Sequence, residues 1–556
     1  MQQFKRSSRD AFLRSLQKSF LLYTQSKKHG LPLDELVDQY SERKSTLHRR
    51  DFISGLAKTG LLIGAAGLVE SCSKLSDLTP AGTNGWIAND FASKNSTQPR
   101  IAIVGAGIAG LNCAYELKKR KLTATIYEAN NRAGGRILTK QNFVAQGLYT
   151  ECGGEFIDSG HKHMRQLATD FGLPLLDTLA ASESGLARDS FYIDGHYYDE
   201  TAVMNAFGPY AQQIANDISS LPNDFGFDNY NTTVLQFDQM SISGYFDSIG
   251  LPSSGFLRKG LETAYNTEYG REVNDQTAIN FLYLFAINPR NNKYDVFGAS
   301  DEQYKVNGGN QQITDALFTD LRSQVILDYN LVKIARDNAG VYTLFFHNGR
   351  SVKAEMVILT IPFTILRTVD LSGLSLPAWK TNAIQNLGYG TNSKLILGFN
   401  NRVWRNYMQT GYVFTNGTAQ NPSQYIQTGW DSSQMQNSNK GSFTVYQGGS
   451  QGLALNLSQT SIFLNQLERM WPGCQGQYNG HSKLIHWPSN TYSKASYSCW
   501  RVGQVTTIKG AEGLPVDNLF FAGEHTSSAN QGYMEGGAET GKSVAKAVAK
   551  LVLHSN

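Results

Sequence analysis

Residues 101–139 read IAIVGAGIAGLNCAYELKKRKLTATIYEANNRAGGRILT. The first four are apolar and mostly β-branched, which predicts a buried strand. The next six carry Gly105, Gly107 and Gly110 in GxGxxG spacing, opening a helix that runs to about Lys119. In such a turn Gly105 permits the tight reversal. Gly107, between Ala106 and the Ile-Ala109 pair, lets the backbone approach a pyrophosphate, and Gly110 lets helix and strand pack closely. The helix N-terminus attracts the negative charge, so phosphate needs no lysine here. A second strand, 123–127, ends at Glu128, where a carboxylate accepts hydrogen bonds from an adenosine ribose and disfavours a 2′-phosphate. Glycine spacing alone is a weak signal; strand, turn, helix and acid together state a dinucleotide-binding βαβ unit.

After Glu128 come Ala129, Asn130, Asn131, Arg132, Ala133, Gly134, Gly135 and Arg136. This E-A-x-x-R-x-G-G-R run resembles the extended fingerprint of FAD-dependent amine oxidases. Residues 519–541, LFFAGEHTSSANQGYMEGGAETG, resemble the C-terminal FAD motif of the same family. The resemblance implies Arg136 near the diphosphate, Glu524 on the ribitol-phosphate portion, and Gly532 and Met534 at the isoalloxazine ring. It adds Gly153 and Gly154 to the cofactor contacts and puts Val332 beside the adenine. Carotenoid desaturases and protoporphyrinogen oxidases share the glycine motifs, so the narrower class rests on other residues.

The fold class implied is α/β. A Rossmann-like FAD-binding domain would be assembled from residues 100–168, 298–383 and 488–551. A mixed α+β substrate domain would come from 169–297 and 384–487, rich in Tyr, Phe, Asn and Gln, roofing the flavin. Residues 322–360 read as short strands, with turns at Asp337-Asn338-Ala339-Gly340 and at the hairpin dipeptide Asn348-Gly349.

Three residues resemble the family's chemical set. Lys394, in the alternating run 390–404, matches the lysine placed near flavin N5 through a water, with a role in reoxidation by oxygen. Tyr497 and Tyr533 match the two tyrosines of an aromatic cage that sandwiches the amine. Ser496 stands where animal monoamine oxidases carry the cysteine bonded to FAD, so the flavin is expected to be noncovalent. Snake-venom L-amino-acid oxidases place a carboxylate-binding Arg where Phe156 stands, and plant polyamine oxidases have a carboxylate near Asp158. Glu155 and Asp158 are read either as attracting a second amino group or as loop acids that are solvated or bond a backbone NH; amines are preferred over amino acids, a preference that an arginine from elsewhere, such as Arg501, would reverse. The leading expectation is oxidation of an amine to an imine, with O2 reduced to H2O2. An L-amino-acid oxidase giving a 2-oxo acid, and a flavin electron carrier without amine turnover, are the alternatives.

Composition narrows the partners. Residues 1–58 hold 12 Lys and Arg against 6 Asp and Glu, an excess larger than the whole net charge of +4. The rest is slightly acidic and offers no footprint for nucleic acid. The basic lead contains His48-Arg49-Arg50-Asp51-Phe52, followed by the 11-residue apolar run 59–69, too short for a membrane span. This resembles a twin-arginine export signal, read by the export machinery, and LVESC at 68–72 resembles a lipoprotein site that would tether the protein through Cys72. Residues 1–72 are thus expected to be a leader to an exported, periplasmic or membrane-tethered protein, and 73–99 a linker. The remaining cysteines, Cys113, Cys152, Cys474 and Cys499, lack metal-ligand spacing, and no metal is expected.

Overall fold

The computed structural model describes residues 11–40, 98–188, 191–285, 301–416 and 425–554. Its centre is a five-stranded parallel sheet in the order Leu519–Phe521, Met356–Leu359, Ile101–Val104, Ala124–Tyr127, Val325–Ile326. Ile101–Val104 is buried throughout, as its unbroken apolar run requires for a strand covered on both faces. Val104 lies in register with both Tyr127 and Leu359, so the carboxyl ends of the strands open together on one edge. Ligands of open α/β sheets bind outside such an edge.

The helix Ile108–Lys119 follows the glycine turn and packs against the C-terminal helix Met534–His554. A Cβ at Gly541 would come within 2.3 Å of the Ala109 carbonyl oxygen, so glycine sets the close approach. Asn112 Nδ2 donates to the Ala538 carbonyl at 2.6 Å across the same contact. Segments more than four hundred residues apart are joined there.

A four-stranded sheet, in the order Ser351–Ala354, Tyr342–Phe346, Leu331–Arg336, Asp370–Gly373, extends this half. Its hairpins turn at residues 337–340 and at Asn348-Gly349, with Gly340 and Gly349 at positive φ. The other half is a seven-stranded, mainly antiparallel sheet. Its order is Tyr478–His486, Ser393–Phe399, Gly441–Gln447, Thr428–Asp431, Val413–Thr415, Phe191–Ile193, His196–Tyr198. Helices including Glu200–Ser220, Phe256–Tyr269 and Ala278–Phe285 complete it.

Within the stretch expected to be a leader, the helix Ala11–His29 packs on Glu200–Ser220, Phe256–Tyr269 and Ala278–Phe285, with Phe12, Leu13 and Leu16 fully buried. The basic composition of the lead hid an apolar face at helical spacing. Arg49, Arg50 and Cys72 lie outside the described residues. Among those described, no helix is long and apolar enough to cross a membrane.

Candidate active site

One long pocket follows the carboxyl edge of the parallel sheet and continues under the seven-stranded sheet. Gly105, with φ +105°, turns the chain there, and its amide donates to the Tyr127 carbonyl at 2.8 Å. A Cβ at Gly105 would lie 2.7 Å from Thr360 Oγ1, and one at Gly110 only 2.0 Å from the Gly105 carbonyl oxygen. At Gly107 the same test meets no protein atom within 4 Å, so the turn presents bare backbone to open space at a helix N-terminus. Ala106 and Gly110 stand behind the wall; Gly105, Gly107 and Ala109 form it.

Glu128 Oε2 accepts the Ala106 amide at 2.6 Å and Oε1 accepts that of Asn130 at 2.9 Å. Burial raises its carboxyl above the ordinary range despite these bonds. Arg136 Nη1 donates to the Ser496 carbonyl at 2.7 Å and to Glu524 Oε1 at 2.9 Å. Glu524 Oε2 accepts the Gly532 amide and the Ser498 hydroxyl, each at 2.8 Å. Burial alone would raise the Glu524 carboxyl, but Arg136, His525 and these hydrogen bonds outweigh it and hold it below the carboxylate range. The distant fingerprint and C-terminal motif thus meet in one ion pair. Ala129, Gly153, Gly154 and Met534 also line the pocket, and a Cβ on Gly154 would sit 2.7 Å from Met534 Cγ.

Near the expected adenine contact, Tyr329, Asn330 and Leu331 line the pocket, and Val332 is 37% exposed. Strand side chains alternate faces, and the inward position falls one residue earlier.

The far end of the pocket is built by the seven-stranded sheet. Lys394 pairs across strands with Tyr446, and Tyr446 with Thr428, so the three share one row, and all line the pocket with Trp430, Phe156, Tyr412, Tyr497 and Tyr533. Lys394 is buried and not solvent-facing. Its Nζ donates to the carbonyls of Glu151 and Gly153 and to Glu155 Oε2, each at 3.0 Å. A second buried ammonium, Lys305 Nζ, lies 3.6 Å from Glu155 Oε1 and donates to the Ser432 carbonyl at 2.9 Å. The nearby Glu151 carboxyl is pushed up to about 7 by burial.

Of the alternatives for Glu155 and Asp158, these contacts favour internal pairing over reception of a second amino group. Glu155 is engaged by two lysines of the chain itself. Asp158 accepts the Glu302 amide at 2.9 Å and lies 3.2 Å from His161 Nε2. Both carboxylates are turned to internal partners because burying either unpaired is costly. Arg501 does not reach the pocket: its Nε donates to Asp275 Oδ1 at 2.8 Å, and its side chain is half exposed.

Tyr497 OH donates to the Glu268 carbonyl at 2.8 Å and lies 3.0 Å from Tyr446 OH, while Tyr533 sits edge-on to His161 with centroids 5.2 Å apart. Sequence reasoning missed Trp430, Tyr446, Glu268 and Lys305. No motif marks them; they arrive through strand register and helix packing.

A bare-backbone turn, a buried ribose-side acid and an Arg–Glu pair along one extended pocket fit FAD. A family model described as flavin containing amine oxidoreductase matches residues 108–549. The chain belongs to that family. Polyamine oxidase 4 of Oryza sativa subsp. japonica is 22% identical to this flavin amine oxidoreductase over 485 residues, covering 85% of this chain and 93% of that one. L-amino-acid oxidase of Daboia russelii is 22% identical over 489 residues, covering 83% and 91%. Among solved structures, cyclohexylamine oxidase from Brevibacterium oxydans IH-35A shares the fold, with a TM-score of 0.70 and 19% identity over 82% of this chain and all of that one. This flavin amine oxidoreductase is FAD-dependent and acts on CH–NH or CH–NH2 groups.

Proposed function

We propose that the enzyme oxidises a primary or secondary amine to an imine, which water hydrolyses to an aldehyde and ammonia or a smaller amine, while O2 is reduced to H2O2. When bound, FAD supplies the acceptor for the hydride lost from the amine carbon. The polarity of the pocket's far end carries this reading. Among the described residues, the pocket's arginines are Arg132 and Arg136, both from the dinucleotide fingerprint, and the far end presents aromatic rings with Glu268. Its one cation there, Lys394, is already paired with Glu155. A substrate carboxylate would meet no guanidinium, whereas an amine meets aromatic faces.

Tyr497 and Tyr533 would hold the neutral amine in position and exclude water. Lys394 would serve the oxygen half-reaction as a fixed charge beside Gly153, since its three N–H groups already have acceptors. Peroxide release over a panel of monoamines, polyamines and L-amino acids tests the assignment. Turnover of amines is expected; turnover confined to L-amino acids would overturn it in favour of the 2-oxo-acid reaction.

Twin-arginine export is the second part of the proposal, supported by Arg49, Arg50 and the apolar run 59–69, with lipid on Cys72 as the tether. Replacing both arginines by Lys should leave FAD-loaded protein in the cytoplasm. Unchanged export would remove the claim.

A further inference from the structure

The helix Ala11–His29 precedes the paired arginines in sequence yet is seated in the substrate half of the molecule. Phe12 is stacked on Phe414 with centroids 5.2 Å apart and meets Phe191 edge-on at 5.5 Å. Its ring fills a notch in the helix Phe256–Tyr269 that only glycine leaves open: a Cβ on Gly260 would lie 2.4 Å from Phe12 Cζ. Polar contacts flank this apolar seat. Gln17 Nε2 donates to the Leu284 carbonyl at 2.7 Å, Ser19 Oγ to the Met204 carbonyl at 2.9 Å, and Lys18 Nζ pairs with Glu200 Oε1 at 2.5 Å with both side chains nearly buried. Leu22 and Val37 close a small second core on Met204, and Leu33 packs at Gly208. Shape, hydrogen bonds and charge all match one occupant, as at an obligate interface between subunits.

We infer that residues 11–40 are a docked module of the working enzyme that stays bound noncovalently when the chain is opened between residues 41 and 97. The inference needs neither export nor a particular substrate. Loss of the module would uncover Phe191 and Phe414, leave Glu200 without Lys18, and remove the Gln17 and Ser19 side-chain donors from the Leu284 and Met204 carbonyls. Each of these losses opposes release of the fragment.

The test uses the full-length, FAD-loaded protein with a protease recognition sequence placed in the linker 73–99. After complete cleavage, the two polypeptides should co-elute on gel filtration in native buffer at the position of uncut enzyme and separate only in denaturant. Elution of the small fragment away from the yellow body would overturn the inference. Phe12→Asp in the cut protein should release the fragment. Where that variant does not fold, Lys18→Glu should lower the co-eluting fraction at least about tenfold on dilution, and adding Glu200→Lys should restore it. Retention unchanged by both Phe12→Asp and Lys18→Glu would place the contact elsewhere and overturn the assignment.

Discussion

Glu155 is buried between two ammonium groups, and its worth follows from them. Lys394 at 3.0 Å and Lys305 at 3.6 Å share this carboxylate, so Glu155→Gln leaves two buried cations uncompensated. The expected cost is about 3–5 kcal/mol, read from urea unfolding of the holoenzyme. A loss below about 1 kcal/mol would mean solvent already screens the pair. Tyr497 separates ring from hydroxyl. Tyr497→Phe removes the bond to the Glu268 carbonyl, at about 1 kcal/mol of stability. Tyr497→Ala removes the ring and should slow anaerobic flavin reduction by ~10²-fold if it positions the amine. Equal rates in the two variants would make the ring structural. Ser496, whose Oγ donates to Asn392 Oδ1 at 2.7 Å, offers no thioether link, so acid precipitation should release intact FAD to the supernatant. Flavin pelleting with the polypeptide would refute this.

The glycine turn illustrates the scale of an element, because neighbouring glycines serve different ends. A side chain at Gly107 meets open pocket, and its φ of −75° suits any residue. Gly107→Val should therefore fold with near-native melting temperature while losing flavin, visible as a fall in the ratio of visible to ultraviolet absorbance. Gly110→Val drives carbon into the Gly105 carbonyl oxygen, with the overpacking cost of about 1–3 kcal/mol or more falling on the fold itself. If both variants lose stability equally and Gly107→Val keeps its flavin, the turn does not face the cofactor.

Acid stability belongs to the whole molecule. His525, next to Glu524 and under the Phe363 ring at 4.5 Å, is buried with both ring nitrogens unpartnered among the described residues. Burial pushes its imidazole down to about 4, whereas in the unfolded chain it titrates near 6.5. Between these values the unfolded chain binds more protons, so stability falls as pH drops from 6.5 to 4 and levels off below. The full shift is worth about 3 kcal/mol. His525→Leu breaks no hydrogen bond and should flatten the urea midpoint across that window. An unchanged slope would assign acid lability to other groups.

The dinucleotide half was legible in the chain because its determinants are local. Gly105, Gly107, Gly110 and Glu128 act through the backbone within one βαβ unit, and 519–541 repeats that logic at the other end. Strand and helix bounds there needed no long-range information. The substrate half was legible only in outline. Lys394 could be singled out, but its three acceptors, its second partner Lys305 and the row it shares with Tyr446 and Thr428 depend on register between strands far apart in sequence. The acids at 155 and 158 could be found by position; only packing decided that they face inward to lysine, histidine and backbone. Likewise the apolar face around Phe12, Leu13 and Leu16 was present in the sequence, yet what it covers was set by Gly260, Phe191 and Phe414 some two hundred to four hundred residues away. Sequence alone determined the cofactor's cradle, since a glycine turn carries its own geometry. Tertiary structure decided which charges are free and where the N-terminal helix belongs, since burial and pairing exist only once distant segments meet.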